Sequence, residues 1–378
     1  MIPSAAMSGQ LDGSNSLELE NDVSMAGLTT LAVGGPARYV ATCRDTAGIH
    51  AALDFARRER LPVFLLGGGS NLLVSDGGFD GLVLRISDSS LHLNKDGADH
   101  VEVSVGAGAR WDPFVARCVH EGLAGIECLS GIPGLAGAAP IQNIGAYGQE
   151  VSESVLAVDV LDLKSGRTQR LASEQCQFGY RTSRFKAVRE RRGQPGYAVL
   201  KVHLRLRRKD EGAVRYPDLE RRLRTTKSPA APPLAEVRRV VLEIRREKSM
   251  VIDPELADPG DPNRRSAGSF FVNPVVDADA ATAVLQRAQE LDAGDPHRWP
   301  MADGRTKFSA AWLIEASGFG KGYRKGRAAI STRHALALVN LGGAQAAELM
   351  ALAEEIRSGV SSSFGVRLTP EPVLLGFS

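Results

Sequence analysis

The sequence predicts an α+β protein with two or three domains. The chain has 378 residues, which is more than one ordinary hydrophobic core accommodates. Apolar residues follow a period of two in some segments and a helical period in others. These segments mix without a strict β–α–β alternation, which favours α+β over a doubly wound sheet. The sequence contains no internal repeat.

The N-terminal half contains most of the predicted strands. Ile49, Leu53 and Ala56 lie on one face of a predicted helix over residues 46–60. A second helix is predicted to begin after Asp112, with Pro113 at its first position. The strands are predicted at residues 38–43, from Leu61 into a glycine turn, and at 81–86, 101–108, 155–163 and 197–208.

The C-terminal half is predicted to be richer in helix. Over residues 233–248, apolar side chains recur at helical spacing with arginines opposite. Residues 253–265 are rich in Pro, Asp and Gly, which predicts an exposed loop. Further helices are predicted around 279–291, 309–317 and 344–358, and strands near 334–340 and 364–375.

Composition excludes several classes of protein. The first 22 residues carry no basic segment and no long apolar run, so they predict a disordered lead and no signal peptide. No apolar stretch approaches the roughly 20 residues of a membrane helix. The four cysteines form no CxxC pair, which favours buried reduced thiols and a cytoplasmic protein. The seven histidines show no ligand spacing, so no metal is expected.

Positive charge is concentrated in one segment. Residues 181–248 contain 21 Lys and Arg against 8 Asp and Glu, whereas the whole chain has a net charge of only +2. Most of these side chains are expected on solvated surfaces, but part of the segment could attract an anionic ligand. Nucleic acid is not the expected partner, because the segment has few aromatic residues for stacking.

Two glycine-rich stretches are the first candidates for a binding site. Gly67 to Gly69 follow an apolar strand, but no GK[ST] ending follows, and Leu72 stands where a Rossmann motif needs glycine. A tight turn and a pyrophosphate site are therefore both compatible with this stretch. The second stretch, GIPGLAGAAPIQNIGAYG, is too apolar for a flexible linker. Together the two stretches indicate a large, flat, anionic cofactor lying along backbone.

A set of motifs resembles one enzyme family. LLGGGSNLLVSD, IPGLAGAAPIQNIGAYGQE, GYRTSRFK, GSFFVNP, KFSAAWLIEASGFGKG, AISTRHALALVN and LTPEPVLLG occur in the order typical of UDP-N-acetylenolpyruvoylglucosamine reductases (MurB). The resemblance covers about residues 28–376. It implies a two-part FAD-binding fold of the vanillyl-alcohol-oxidase (PCMH) type with a separate C-terminal α+β substrate domain. The implied domains are a lead (1–22), FAD subdomain 1 (23–84, completed by 367–378), FAD subdomain 2 (85–245) and a substrate domain (246–366).

The resemblance also implies the binding residues. FAD would be held non-covalently, which agrees with the absence of His and Cys from the phosphate loop. The implied cofactor-binding residues are Gly67, Gly68, Gly69, Ser70, Asn71, Pro140, Ile141, Asn143, Gly145, Ala146, Tyr147 and Arg245. The implied substrate-binding residues are Gln142, Tyr180, Tyr216, Lys248 and Asn273. Tyr216, with the IQNIGAYG wording, matches the subgroup in which a loop tyrosine closes over the UDP moiety.

The reaction of the family implies three catalytic residues. UDP-N-acetylglucosamine enolpyruvate is reduced to UDP-N-acetylmuramate, with NADPH as co-substrate. Arg181 would bind the enolpyruvyl carboxylate and stabilise developing negative charge, and Glu371 would assist it. Ser269 would donate the proton, with Phe270 and Phe271 excluding water from its surroundings.

Two other functions remain open. A flavin oxidase could share the glycine-rich stretches, although it has no reason to keep Ser269 and Glu371 together. A nucleotide-sugar or nucleic-acid binder that has lost catalysis would not need Arg181, Ser269 and Glu371.

Position 272 is Val where the family commonly has Lys or Thr, which argues against a phosphate contact there. A monomer is expected.

Overall fold

The secondary structure mixes strands and helices throughout the described chain. A computed structural model describes residues 16–212, 214–225, 231–253 and 256–377. The predicted loop at 253–265 lies only partly within these ranges. The helices are α1 (Thr46–Arg58), α2 (Trp111–His120), α3 (Arg184–Arg192), α4 (Pro217–Thr225), α5 (Leu234–Glu247), α6 (Ala278–Glu290), α7 (Ala310–Ala316) and α8 (Ala346–Phe364).

The strands range from two to twelve residues in length. They are β1 (Leu17–Ser24), β2 (Pro36–Cys43), β3 (Val63–Leu66), β4 (Leu72–Val74), β5 (Phe79–Ile86), β6 (Leu91–Asp96), β7 (His100–Gly106), β8 (Leu123–Ala124), β9 (Gly145–Ala146), β10 (Gln149–Glu150), β11 (Val155–Asp162), β12 (Thr168–Ala172), β13 (Tyr197–Arg208), β14 (Val275–Val276), β15 (Arg298–Pro300), β16 (Thr306–Phe308), β17 (Arg324–Lys325), β18 (Ala328–Ile330), β19 (Leu338–Asn340) and β20 (Val373–Leu375).

The chain divides into two compact units. Unit 1 combines Met1–Val23, Ala37–Gly68 and Asp80–Arg245, of which residues 1–15 lie outside the described ranges. Unit 2 combines Ser24–Pro36, Gly69–Phe79 and Arg246–Ser378. The units therefore group the chain differently from the four predicted domains, whose separate binding roles remain predictions.

Unit 1 is built on antiparallel pairing around the long strand β13. Its six-stranded sheet has the order β12-β11-β13-β7-β6, with β8 also paired to β13. Alternate residues of β7 and β13, such as Val103 and Val202, are buried in one core with Trp111. A second sheet, β1-β2-β5-β3, packs with α1. Asp45 caps α1 by accepting a hydrogen bond from the Gly48 amide (2.8 Å), and the predicted face of α1 is buried as expected.

Unit 2 packs three helices around small sheets. Its core contains Phe270, Phe271, Phe308 and Phe364, together with apolar residues of α6, α7 and α8. The sheets are β14-β16-β15, β17-β18-β19 and the parallel pair β20-β4. In that pair Val373 lies beside Leu72, so the last strand of the chain returns to the segment after the glycine turn.

Several predicted boundaries are wrong. The disordered lead was expected to reach residue 22, but β1 begins at Leu17. The helix α2 begins at Trp111, so Pro113 is its third residue, where a missing amide proton is still tolerated. The strand expected over 364–375 is confined to Val373–Leu375, because α8 continues to Phe364 and ends at Gly365 (φ +70°).

The predicted state of the cysteines is confirmed. All four cysteines are buried as reduced thiols. The described residues contain no group of His, Cys, Asp or Glu side chains that could hold a metal ion. No helix within these ranges combines the length and the apolar character that a bilayer span requires.

Candidate active site

In unit 1 the two glycine-rich stretches lie against each other. A Cβ atom on Gly68 would come within 2.6 Å of the Gly134 Cα, and one on Gly67 within 3.2 Å of the Ala138 Cβ. The first distance is shorter than real Cβ contacts, so position 68 requires glycine. The backbone of the predicted phosphate loop therefore packs directly on the stretch that begins at Gly131.

In unit 2 the rest of the predicted phosphate loop lies beside the C-terminal strand. Gly69 has a φ of +64°, and a Cβ there would collide with the Leu28 carbonyl oxygen at 1.9 Å. Asn71 donates its side-chain amide to the Glu371 carbonyl (3.3 Å) and accepts from the Val373 amide (3.0 Å). Because Gly67 and Gly68 belong to unit 1 and Gly69 to Asn71 to unit 2, a shared pyrophosphate site remains a prediction.

Asn143 is engaged by its neighbours through its whole side chain. It is buried, and its amide nitrogen donates to Glu150 Oε2 (2.7 Å) and to the Gly179 carbonyl (3.1 Å). Its Oδ1 accepts from the Ser152 amide (3.1 Å). Both side-chain N–H groups of Asn143 are used in these bonds, so we interpret the side chain as a support for the stretch from Pro140 to Tyr147.

The rest of that stretch forms a tight, half-buried hairpin. Gly145 and Ala146 form β9 and pair with β10. Pro140 is buried, and Ile141, Gln142 and Tyr147 are half-buried. Tyr147 (φ +49°) and Asn143 (φ +46°) both adopt the left-handed region, which is uncommon for residues other than glycine. Such strain is frequent at functional sites.

Arg181 lies on a tight turn next to this hairpin. Gly179 and Thr182 exchange backbone hydrogen bonds of 3.1 and 3.2 Å around Tyr180 and Arg181. Arg181 has a φ of +52°, and its Nη2 donates to the Gly145 carbonyl (2.9 Å). The structure therefore brings predicted catalytic and cofactor-binding residues of unit 1 together, while Tyr180 is exposed.

Arg245, Tyr147 and Tyr216 form a second group in unit 1. Burial lowers the pKa of Arg245, although Tyr147 and Asp112 oppose that change and Arg181 adds to it. Burial raises the pKa of the Tyr147 phenol, which shares a hydrogen bond with Arg245. The rings of Tyr147 and Tyr216 meet edge to face, with centroids 5.8 Å apart. Tyr216 thus contacts a predicted cofactor residue from the position before α4.

A buried ion pair lies behind this group. Asp112, only 2% exposed, accepts two hydrogen bonds from Arg238 (2.6 and 2.7 Å) and one from the Gly131 amide (2.5 Å). Burial by itself would raise the pKa of Asp112, but these hydrogen bonds and the charges of Arg238 and Arg245 lower it. Gly131 opens the second glycine-rich stretch, so the ion pair fixes the position where that stretch begins.

In unit 2 Ser269 and Glu371 lie on neighbouring segments. The Glu371 amide donates to the Phe270 carbonyl (2.9 Å), and the Val272 amide donates to the Thr369 carbonyl (3.0 Å). These bonds hold residues 270–272 antiparallel to residues 369–371. Ser269 is half-buried, whereas Phe270 and Phe271 are fully buried in the core of unit 2. The phenylalanines therefore anchor the segment that carries the serine.

Lys248 and Asn273 also belong to unit 2. Lys248 follows the end of α5 and is half-buried. The Asn273 Oδ1 accepts from the Ala310 amide at the start of α7 (2.9 Å). This bond satisfies one of the amides that every helix N-terminus leaves without an intrahelical partner. Asn273 therefore has a structural contact, and its predicted contact with substrate would be additional.

Sequence reasoning missed the residues that support the site. Asp112 and Arg238 were not predicted, because their pairing joins two helices distant in sequence. Lys186, whose Nζ donates to the Arg181 carbonyl (3.0 Å), was also missed. A signal did exist for Lys186, since a lysine in the first turn of a helix opposes the helix dipole and suggests another contact.

The residues of unit 1 fit an anionic cofactor such as FAD. A cradle of required glycines adjoins Arg245, a buried guanidinium whose pKa is lowered by burial. An anionic ligand would stabilise such a cation. The chemistry of this part of the chain therefore agrees with a bound dinucleotide.

Comparison with known proteins gives the class of protein. Residues 37–172 match the family model of an FAD binding domain, and with the relatives below this match makes the protein an FAD-dependent oxidoreductase. Residues 261–375 match the C-terminal domain of UDP-N-acetylenolpyruvoylglucosamine reductase. The chain belongs to the UDP-N-acetylenolpyruvoylglucosamine reductase (MurB) family.

Full-length relatives support this assignment. The reductase of Thermobifida fusca is 47% identical over 358 residues, covering 94% of this chain and 97% of that protein. Reductase 2 of Corynebacterium glutamicum is 40% identical over 383 residues, covering 99% of each. The crystal structure of MurB from Thermus caldophilus is 27% identical and superposes with a TM-score of 0.62, covering 95% of this chain and 98% of that chain. The predicted fold class is thereby confirmed, and the family decides against the flavin oxidase.

Proposed function

We propose that the protein catalyses the NADPH-linked reduction of UDP-N-acetylglucosamine enolpyruvate to UDP-N-acetylmuramate in peptidoglycan precursor synthesis. The name shared by the relatives supports this substrate class. Bound FAD would supply hydride, which it receives from NADPH. The protein is expected to act in the cytoplasm as a monomer, without nucleic acid or membrane.

Arg181 and Glu371 would prepare the substrate for reduction. Hydride addition to the terminal alkene carbon moves the electron pair of the double bond towards the carboxylate. A planar guanidinium can bind that carboxylate by two hydrogen bonds and stabilise the developing charge. The bond from Arg181 Nη2 to the Gly145 carbonyl holds the guanidinium next to the hairpin of β9 and β10. A guanidinium has five N–H donors, so it can bind more than one acceptor.

Ser269 would complete the reaction as the proton donor. Its hydroxyl proton passes to the second alkene carbon, and water then returns a proton to the serine oxygen. The observation that supports this role best is the antiparallel pairing of residues 270–272 with residues 369–371, which holds Ser269 and Glu371 on adjacent backbone. Because Phe270 and Phe271 of the first segment and Leu368 before the second belong to the core of unit 2, neither segment can shift far without disturbing that core.

Stopped-flow measurement of the two half-reactions tests the proposal. Flavin absorbance follows reduction by NADPH and then reoxidation by the enolpyruvyl substrate. Ser269→Ala is expected to leave reduction nearly unchanged and to slow reoxidation by about 100-fold or more, the size of a typical general-acid contribution. Ser363→Ala, which removes another half-buried serine of unit 2 on α8, serves as the control. Equal loss in both half-reactions would reject Ser269 as the donor, and a wild-type protein without bound flavin would reject the function.

Tyr216 and Lys248 are proposed as substrate contacts. The edge-to-face contact of Tyr216 with Tyr147 places it beside the predicted cofactor stretch, which supports a loop that closes over the UDP moiety. Lys248 supplies a cation for a phosphate group of the substrate or of NADPH. Gln142, Tyr180 and Asn273 are proposed to line the substrate, as the family resemblance implies.

A further inference from the structure

The turn that carries Arg181 is held in an unfavourable backbone conformation. An L-residue in the left-handed region brings its Cβ close to its own carbonyl oxygen, and arginine has no compensating local hydrogen bond of the kind that Asn or Asp makes. Arg181 nevertheless has a φ of +52°. Contacts from the surrounding residues must therefore stabilise the turn.

Two of these contacts come from the stretch between Ile141 and Gly145. Asn143 donates to the Gly179 carbonyl at the start of the turn (3.1 Å). Ser183 Oγ, just after the turn, donates to the Ile141 carbonyl (2.5 Å). Both ends of the turn are thereby fixed to one neighbouring segment, but neither contact acts on the backbone of Arg181 itself.

Lys186 acts on Arg181 directly. Its Nζ donates to the Arg181 carbonyl (3.0 Å), and the side chain is only 17% exposed. The carbonyl orientation that this bond requires depends on the backbone torsions of Arg181. A charge-assisted hydrogen bond is about twice as strong as a neutral one, so it can offset a strained torsion.

The position of Lys186 in its helix is unfavourable for a cation, so this contact stabilises the lysine as well as the turn. Lys186 is the third residue of α3, whose first turn contains no acidic residue and whose N-cap is Ser183. A cation there is repelled by the positive end of the helix dipole. The carboxylate of Glu190 is 3.8 Å away and mostly exposed, which makes a weak ion pair. The bond to the Arg181 carbonyl is the contact that compensates for this location.

We propose that Lys186 is a positioning residue for Arg181, holding the left-handed turn so that the guanidinium faces substrate in one orientation. Phe185, which is buried against Tyr197, fixes the first turn of α3 and so fixes the origin of the lysine side chain. The inference rests on the proposed function for its catalytic consequence, but the contact itself can be tested without substrate.

The test compares Lys186→Met with Glu190→Gln. The first variant removes the ammonium group and keeps a side chain of similar length, whereas the second removes the ion pair and leaves the bond to the Arg181 carbonyl. In the protein without substrate, hydrogen exchange of the Thr182 amide, which donates across the turn, is expected to accelerate about tenfold or more in Lys186→Met and to be unchanged in Glu190→Gln.

The catalytic readout is specific for one half-reaction. Lys186→Met is expected to slow flavin reoxidation by substrate about 10-fold to 100-fold while flavin reduction by NADPH changes less than about twofold. Lys186→Arg, which can still donate to the carbonyl, is expected to recover part of the rate. Should Lys186→Met fail to fold, Lys186→Gln replaces it, because its neutral side chain is polar and too short to keep the bond to the Arg181 carbonyl. Lys186→Gln is expected to give the same changes in exchange and reoxidation.

Each outcome decides the inference. It is overturned if Lys186→Met exchanges and reacts like Glu190→Gln, or if both half-reactions fall together with loss of FAD. Wild-type protein that does not reduce the enolpyruvyl substrate would refute the proposed function. The exchange measurement would still test whether the bond from Lys186 holds the turn of Arg181.

Discussion

The buried pair of Asp112 and Arg238 leads to a quantitative prediction for Asp112→Asn. The substitution keeps the shape of the side chain, removes its charge and places an amide group against the guanidinium, so Arg238 loses one of its two acceptors. Removing one partner of a buried ion pair costs about 3–5 kcal/mol, because the other charge remains buried. Asp112 is 2% exposed and the Arg238 side chain 15%. We therefore expect the free energy of unfolding of unit 1 to fall by about 3 kcal/mol at pH 7.

The assay is urea unfolding followed by tryptophan fluorescence. Trp111, beside Asp112, is buried in the core of unit 1 and reports its opening. Asp80→Asn is the matched control, because the pair of Asp80 with Arg38 is exposed and bonded at 3.2 Å. That change is expected to leave the urea midpoint within experimental error. Equal midpoints for wild type and Asp112→Asn would refute the reasoning.

The same pair predicts the dependence of stability on pH. The folded pKa of Asp112 lies below its unfolded value of about 3.9. The stabilisation is therefore present in full above that unfolded value and is lost as the pH falls through the folded pKa. The difference between wild type and Asp112→Asn should be constant from about pH 8 to pH 5 and shrink below about pH 4. A difference that persists undiminished at low pH would mean that packing, not charge, is responsible.

Two further predictions concern the thiols and the basic segment. Burial raises the pKa of Cys43 and of Cys118 to about 12 and the pKa of Cys176 to about 11. A thiol reagent at pH 8 should therefore label these cysteines only after unfolding. Rapid labelling of any of them in the native protein would contradict their burial. The excess of positive charge over residues 181–248 should make KM for NADPH and for the UDP-sugar rise with salt more than kcat changes, because screening weakens attraction at a distance first. KM values that stay constant up to a few hundred millimolar salt would show that these positive charges do not attract the two ligands.

Periodic apolar patterns predicted the long elements well. The apolar face of α1 and the apolar positions of α5 are buried as expected. A helical spacing repeated over many residues predicts a helix reliably, because no other secondary structure places those residues on one face. Short elements were not predictable in this way. The strands β4 and β20 contain three residues each, and their parallel pairing joins segments about 300 residues apart.

The motifs gave the candidate residues of the site, which remain predictions, but they did not give the contacts that support those residues. The motifs named Arg181, Ser269 and Glu371, and within unit 2 the backbone segment that carries Ser269 lies next to the segment that carries Glu371. The contacts that hold the turn of Arg181 could not be predicted from sequence spacing. One of them, the bond from Asn143 to the Gly179 carbonyl, joins residues 36 positions apart. Asp112 illustrates the same limit: as a sequence feature it marked the start of a helix, and its partner Arg238 lies 126 residues away.

The composition of unit 2 has a consequence for how the protein is made. This unit gathers Ser24–Pro36, Gly69–Phe79 and everything from Arg246 onwards, and its strand β4 pairs with residues 373–375. Leu72–Val74 therefore acquires its partner strand only after residues 373–375 have been synthesised. A chain that stops before Val373 would lack that partner strand, so the loss of residues 373–375 should harm this enzyme far more than the length of the deletion suggests.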